Sequence, residues 1–206
     1  MHPNSPPPDP QAILAFWFGT PLEQDWPDSD RRTLWFGSDP AQDEAIADRF
    51  GHRVAQALDG GLVEWEDRLP DRMALLLLLD QFSRNIHRGS ARAFEGDPRA
   101  QRLVLQSLDA GDDLRLPTVG RVFLYMPLMH AENLELQEEC VRRFHALHEG
   151  SPARLQAALA GHLGAARQHR DIVARFGRFP HRNEALGRTS SGPESLFLLD
   201  GPRFGQ

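Results

Sequence analysis

An all-α fold is predicted by three features of the sequence. Proline recurs where helices would begin and glycine just past where they would end, apolar residues return at three- and four-residue spacing, and no stretch alternates as a half-buried strand would. Asp9-Pro10 opens a short helix that stops at Gly19, and residues 38–40 open one that stops at Gly60. Pro70 starts an apolar helix running to about Arg88, and Asp97-Pro98 starts another that stops at Gly111. Pro117 begins a segment reaching about Met129, with Pro127 near its end, where the missing backbone donor predicts a break or kink. A further helix is expected from about Ala131 to His148, and Ser151-Pro152 opens the longest, which ends at Phe176 before Gly177. Short helical turns fit 183–186 and 193–199. The total is about eight to ten helices with short connections, which favours antiparallel hairpins in an array or bundle. No sequence period of about 34 residues marks a repeat protein.

At 206 residues the chain is long enough for a real core, and it reads as one all-helical domain over residues 9–206 behind a proline-rich, disordered arm at 1–8. Against 23 cations stand 29 carboxylates, and a net charge of −6 disfavours nucleic acid or an anionic membrane held by a general basic field. Every one of the 23 cations is arginine. Without lysine there is no phosphate-loop lysine, no Schiff-base lysine and no Ser-x-x-Lys nucleophile. The single cysteine, Cys140, excludes an internal disulfide and any thiolate-rich metal site. With no basic or apolar leader at the start of the chain, it fits a cytoplasmic location. The longest apolar run, Met73 to Leu79, falls far short of the ~20 residues a membrane span needs.

Chemistry is to be sought where polar groups lie on apolar helix faces. In the Pro70 helix, Leu75, Leu79, Phe82 and Ile86 form one stripe, while the other side turns polar through Asp80, Arg84 and His87, beside Arg88. Asp80 and Arg84 are spaced i, i+4; exposed, such a pair contributes ~0.2–0.5 kcal/mol, whereas removing one partner of a buried pair costs roughly 3–5 kcal/mol. In the next-to-last long helix Gln137 shares the face of Leu134 and Val141, and His130 sits one turn earlier. Alone, either is more often a satisfied core hydrogen-bonder than a ligand group. His130-Ala-Glu132 lacks the Pro-Cys-x-x-Cys partner of zinc deaminases, and His145 and His148 lack a metalloprotease motif, so no metal is expected. His162 and His169 project close to the apolar face of the longest helix. Residues 175–183 then gather arginines, a histidine and two phenylalanines, either a turn capped by arginines or a fork for carboxylate or phosphate.

The stretches Ala15-Phe-Trp-Phe-Gly19, Leu78-Leu-Asp-Gln-Phe-Ser-Arg-Asn-Ile86, Arg88-Gly89, Ala93-Phe94, Phe123-Leu-Tyr-Met-Pro-Leu128, His130 with Glu132, Gln137, His169-Arg-Asp-Ile172 and Arg175 to Asn183 span nearly the whole chain. In them the sequence resembles a mostly bacterial family, domain of unknown function 924. Ser83 stands where that pattern has proline, and Ala131 where it has serine. The resemblance implies a tetratricopeptide-repeat-like helical array and brings no activity with it.

Helical period and the family motifs select the same groups. The expectation is one internal pocket, with His130, His169, Glu132 and Asp80 as catalytic candidates and Arg84, Asn85, Arg88, Tyr125, Gln137, Arg178, His181 and Arg182 as ligand-binding candidates. The first reading is a binding module for a small anionic molecule or a peptide carboxylate, with no cofactor. A second is a hydrolase or transferase using histidine as general acid or base on a phosphorylated or carboxylated substrate. A third is a structural or oligomer-forming protein whose polar network only fixes the fold.

Overall fold

The computed structural model describes residues 9–19 and 25–205; the arm expected over 1–8 lies outside them. Every regular element among the described residues is a helix or helical turn, and they contain no strand. Helix α1 (Pro10–Phe18) begins as its sequence dictates: the Asp9 side chain accepts from the Ala12 N–H, and Gly19 ends it with φ of 73°. After α2 (Arg32–Phe36) comes α3 (Pro40–Leu58), capped by Asp39. Helix α4 (Leu69–Leu76) passes through a π-turn (Leu77–Phe82) into α5 (Ser83–Ile86), forming one rod. The remaining helices are α6 (Asp97–Asp109), α7 (Thr118–Met129), α8 (Leu134–Glu149), α9 (Ala153–Phe176) and α10 (Gly192–Asp200).

The apolar rod is the axis of the core. Residues 73–83 are buried without exception, and α1, α3, α6 and α7 pack around them. Helix α7 in turn carries α8 and α9, which are joined by three residues and lie against each other along their length. A smaller cluster, Ile172, Val173 and Phe179 with Phe176, Phe197 and Phe204, closes the C-terminal end. Because the rod is buried all round, Asp80 and Gln81 are polar groups inside it rather than members of a solvated stripe.

Three expectations need correction. Helix α2 was not foreseen, because it is only one turn long and neither proline nor glycine marks its start. Helix α8 begins at Leu134, where the Asn133 side chain accepts from the Leu136 N–H, and not at Ala131. Pro127 does not break α7: only one donor is lost near the end, and the last turn is closed by the His130 N–H on the Met126 carbonyl at 3.1 Å.

The π-turn is held by its neighbours. The Ser83 hydroxyl donates to the Leu79 carbonyl at 2.7 Å and lies 3.2 Å from that of Ala93. Segment 91–97 can lie this close because residue 96 is glycine; a Cβ there would stand 2.4 Å from the Leu79 carbonyl oxygen. Gly96→Ala is therefore expected to lower the urea midpoint by the equivalent of about 1–3 kcal/mol. Gly51→Ala, whose Cβ would meet nothing within 4 Å inside α3, should raise it by up to about 1 kcal/mol. Equal responses of the two variants would contradict this packing.

Candidate functional site

The rod, the α7–α8 junction, the start of α6 and residues 178–182 bring a charged centre together. Asp80, 1% exposed, accepts from His130 Nδ1 at 2.6 Å and from Gln81 Nε2 at 2.5 Å. Arg84 Nη1 donates to the Asp80 carbonyl at 2.9 Å and lies 3.3 Å from its carboxylate. The other Arg84 nitrogen reaches Asp97 at 2.9 Å. Arg182 meets the same Asp97 carboxylate at 3.0 Å and donates to the His130 carbonyl at 2.9 Å. Two buried arginines thus face two buried aspartates, and the charges balance when the histidines are neutral.

Burial alone would raise the Asp80 carboxyl, but His130 and Arg84 beside it hold it well below the usual carboxylate range. An ionised carboxylate only accepts, so the proton in the contact sits on His130 Nδ1. Burial pushes the His130 pKa down against the pull of Asp80, which leaves Nε2 unprotonated.

An aromatic layer covers this centre. The Arg182 guanidinium stacks over Phe94 at 4.5 Å and Phe179 at 4.7 Å. His169 stands 6.1 Å from His130, ring to ring, and its Nδ1 donates to the Ala165 carbonyl at 2.8 Å. The Phe204 ring stacks on His169 at 3.9 Å and meets His181 edge-on at 5.3 Å. Burial drives His169 and His181 down to about 3, with the nearby Arg182 charge adding to it. Burial likewise lowers Arg182 to about 10. Two buried nitrogens in this layer, His181 Nδ1 and Arg182 Nε, have no hydrogen-bond partner.

Of the twelve candidates, Asp80, Arg84, His130, His169, His181 and Arg182 are brought together; the other six are not. Asn85 and Arg88 bind Asp43 of α3, at 2.8 Å and 2.9 Å. Arg88 also donates to the Gly205 carbonyl, which fixes the segment carrying Phe204. The Tyr125 hydroxyl donates to Asp113 at 2.8 Å beside Arg143, a separate cluster. Gln137 donates to the carbonyls of Met129 and Ala131 at 2.6 Å and 2.8 Å and so locks the α7–α8 junction. Glu132 pairs with Arg188 at 2.6 Å and accepts from the Phe179 N–H, while Arg178 forks onto Glu194 at 2.7 Å. Each of these six has its partner close by and ties elements of the fold together.

Sequence reasoning missed Asp97, Phe94 and Phe204 as members of the centre. Asp97 was visible only as a helix start, and Phe94 only as part of the motif Ala93-Phe94; Phe204 carried no signal. Among the described residues no group of three or more histidine, cysteine, aspartate or glutamate side chains is placed to hold a metal. The depressed histidines fix a pH dependence. Their folded pKa values lie below the unfolded 6.5, so the unfolded chain takes up protons first as pH falls. Stability is complete above about pH 6.5 and declines from there towards 3, by up to about 1.4 kcal/mol per pH unit for each such histidine. Urea midpoints from pH 7.5 to 4.5 test this: His181→Leu should flatten the slope, and an unchanged slope would place that ring in water.

Comparison with known sequences and structures agrees with this architecture. A solved structure described as a protein of unknown function from Agrobacterium tumefaciens is similar, with a TM-score of 0.76 and 33% identity over 93% of this chain and 97% of that one. A search of curated proteins finds no match. The family model described as bacterial protein of unknown function (DUF924) matches residues 13–202, and the chain belongs to that family.

Proposed function

We propose that this protein is a binding module that takes a small oxyanion, a carboxylate or phosphate group, into the arginine–histidine centre beneath Phe204. One observation carries the reading: Arg182 Nε and His181 Nδ1 are buried and unpaired in the same layer. Leaving a buried donor unmade costs about 1–3 kcal/mol, more for a charged group, and an incoming oxygen acceptor removes that cost. The segment ending in Phe204 and Gly205 is the cover that moves, because it rests on His169, His181, the smaller C-terminal cluster and the Arg88 contact rather than on the main core.

The charge balance gives the binding a proton signature. With two arginines against two aspartates, an added anion favours protonation of the neutral imidazoles, so binding takes up protons and tightens as pH falls. A second reading, acid–base catalysis, is favoured by the 2.6 Å Asp80–His130 contact, which orients the ring and keeps the proton of the neutral imidazole on Nδ1.

Sulfate is a suitable probe because its own charge is constant across this range. Calorimetric titration, with chloride matching ionic strength, is expected to show saturable binding that strengthens several-fold from pH 7.5 to 5.5. Phe204→Ala should keep or improve binding and His181→Leu should weaken it. No saturable binding at either pH would remove this reading and leave a purely stabilising network; equal affinity in His181→Leu would remove the site from this layer.

A further inference from the structure

A cleft of about 720 Å³ opens between residues 26–36 and one face of α9, and its lining includes none of the side chains of the charged centre. One wall is aromatic: Trp26 and Trp35 meet edge to face at 6.0 Å, and Phe36 is 53% exposed although apolar. His162 closes that wall, 6.4 Å from Trp26 and 5.6 Å from Phe36. Burial holds its pKa down to about 4, so it faces the cleft as a neutral ring. The opposite wall is made of small residues of α9, Ala157, Ala158 and Gly161, which leave the volume open. This size and lining are those of a small-molecule site.

The charge in the cleft singles out one residue. Arg32 is engaged by Asp30 at 2.6 Å and Arg154 by Asp25 at 2.8 Å. Arg31 has no carboxylate partner among the described residues. Its Nε donates to the Trp17 carbonyl at 2.8 Å and its Nη2 to that of Phe16, so it caps the C-terminus of α1. A helix end supplies roughly half a negative charge, which leaves a half-buried guanidinium with positive charge in excess and, among the described residues, Nη1 without an acceptor. Gly19 makes room for it: a Cβ there would stand 2.3 Å from Nη1.

We infer that this cleft is a second binding site, for a small organic monoanion with a flat apolar body, such as an aromatic carboxylate. The aromatic wall and the small-residue wall sandwich the body, and Arg31 holds the carboxylate. The exposed Asp28 on the rim disfavours a second negative charge on the ligand. This inference is independent of the oxyanion reading above.

The test uses 2-naphthoate and its uncharged amide, followed by the indole N–H signals of the four tryptophans and by fluorescence quenching. Naphthoate is expected to bind saturably, to move the Trp26 and Trp35 signals and to spare Trp65, and to bind about ten-fold more tightly than the amide. Arg31→Gln should remove the preference for the acid. Because Arg31 also caps α1, Ala158→Phe provides a second arm: the position is exposed on α9, so the variant folds, and it should block both compounds. The inference is overturned if naphthoate does not bind, if Arg31→Gln keeps the acid preference, or if Ala158→Phe binds as the parent does.

Discussion

Asp97 stands at the first turn of α6 and accepts from two buried arginines, Arg84 of the rod and Arg182 of the C-terminal segment. Much of the structure depends on that shared carboxylate. A guanidinium cannot shed its proton in a protein, so two of them inside a helical body require carboxylates within hydrogen-bond distance. Asp80 supplies the second negative charge and, through His130, ties the rod to the α7–α8 junction. The elements thus joined lie far apart in sequence, Asp97 and Arg182 being 85 positions apart.

The aromatic layer above makes these charges effective. Phe94, Phe179 and Phe204 keep water from Arg182, His169 and His181, and in the drier surroundings each charge acts more strongly on its neighbours. The same dryness keeps the imidazoles neutral, which is the condition under which the two arginines and two aspartates balance. An anion entering the layer and a proton entering a ring are therefore one coupled event.

Much of the fold was legible in the sequence because its punctuation is local. Asp9 with Pro10, Asp39 with Pro40, and Gly19, Gly111 and Gly177 in left-handed conformations mark helix ends through the chain itself. Helix α2 escaped because a single turn has no period to display. The site was legible only as residue type. Helical spacing found Asp80, Arg84, His130 and His169, but partner choice is a property of three-dimensional distance: Tyr125 turns to Asp113, Glu132 to Arg188, Arg178 to Glu194 and Arg88 to Asp43. The cleft against α9 was invisible for a related reason, since Ala157, Ala158 and Gly161 signal by what they lack.

The claim beneath the whole account is that the histidines of this centre sit in a dry, charge-balanced interior. Nitrogen-15 NMR of the imidazole rings between pH 7.5 and 5 measures it directly. The account predicts that His130 and His169 remain neutral at pH 6 with the proton on Nδ1, and that His181 does not titrate in this range. Ordinary titration of all three rings near pH 6.5, with the proton exchanging freely between the two nitrogens, would contradict it.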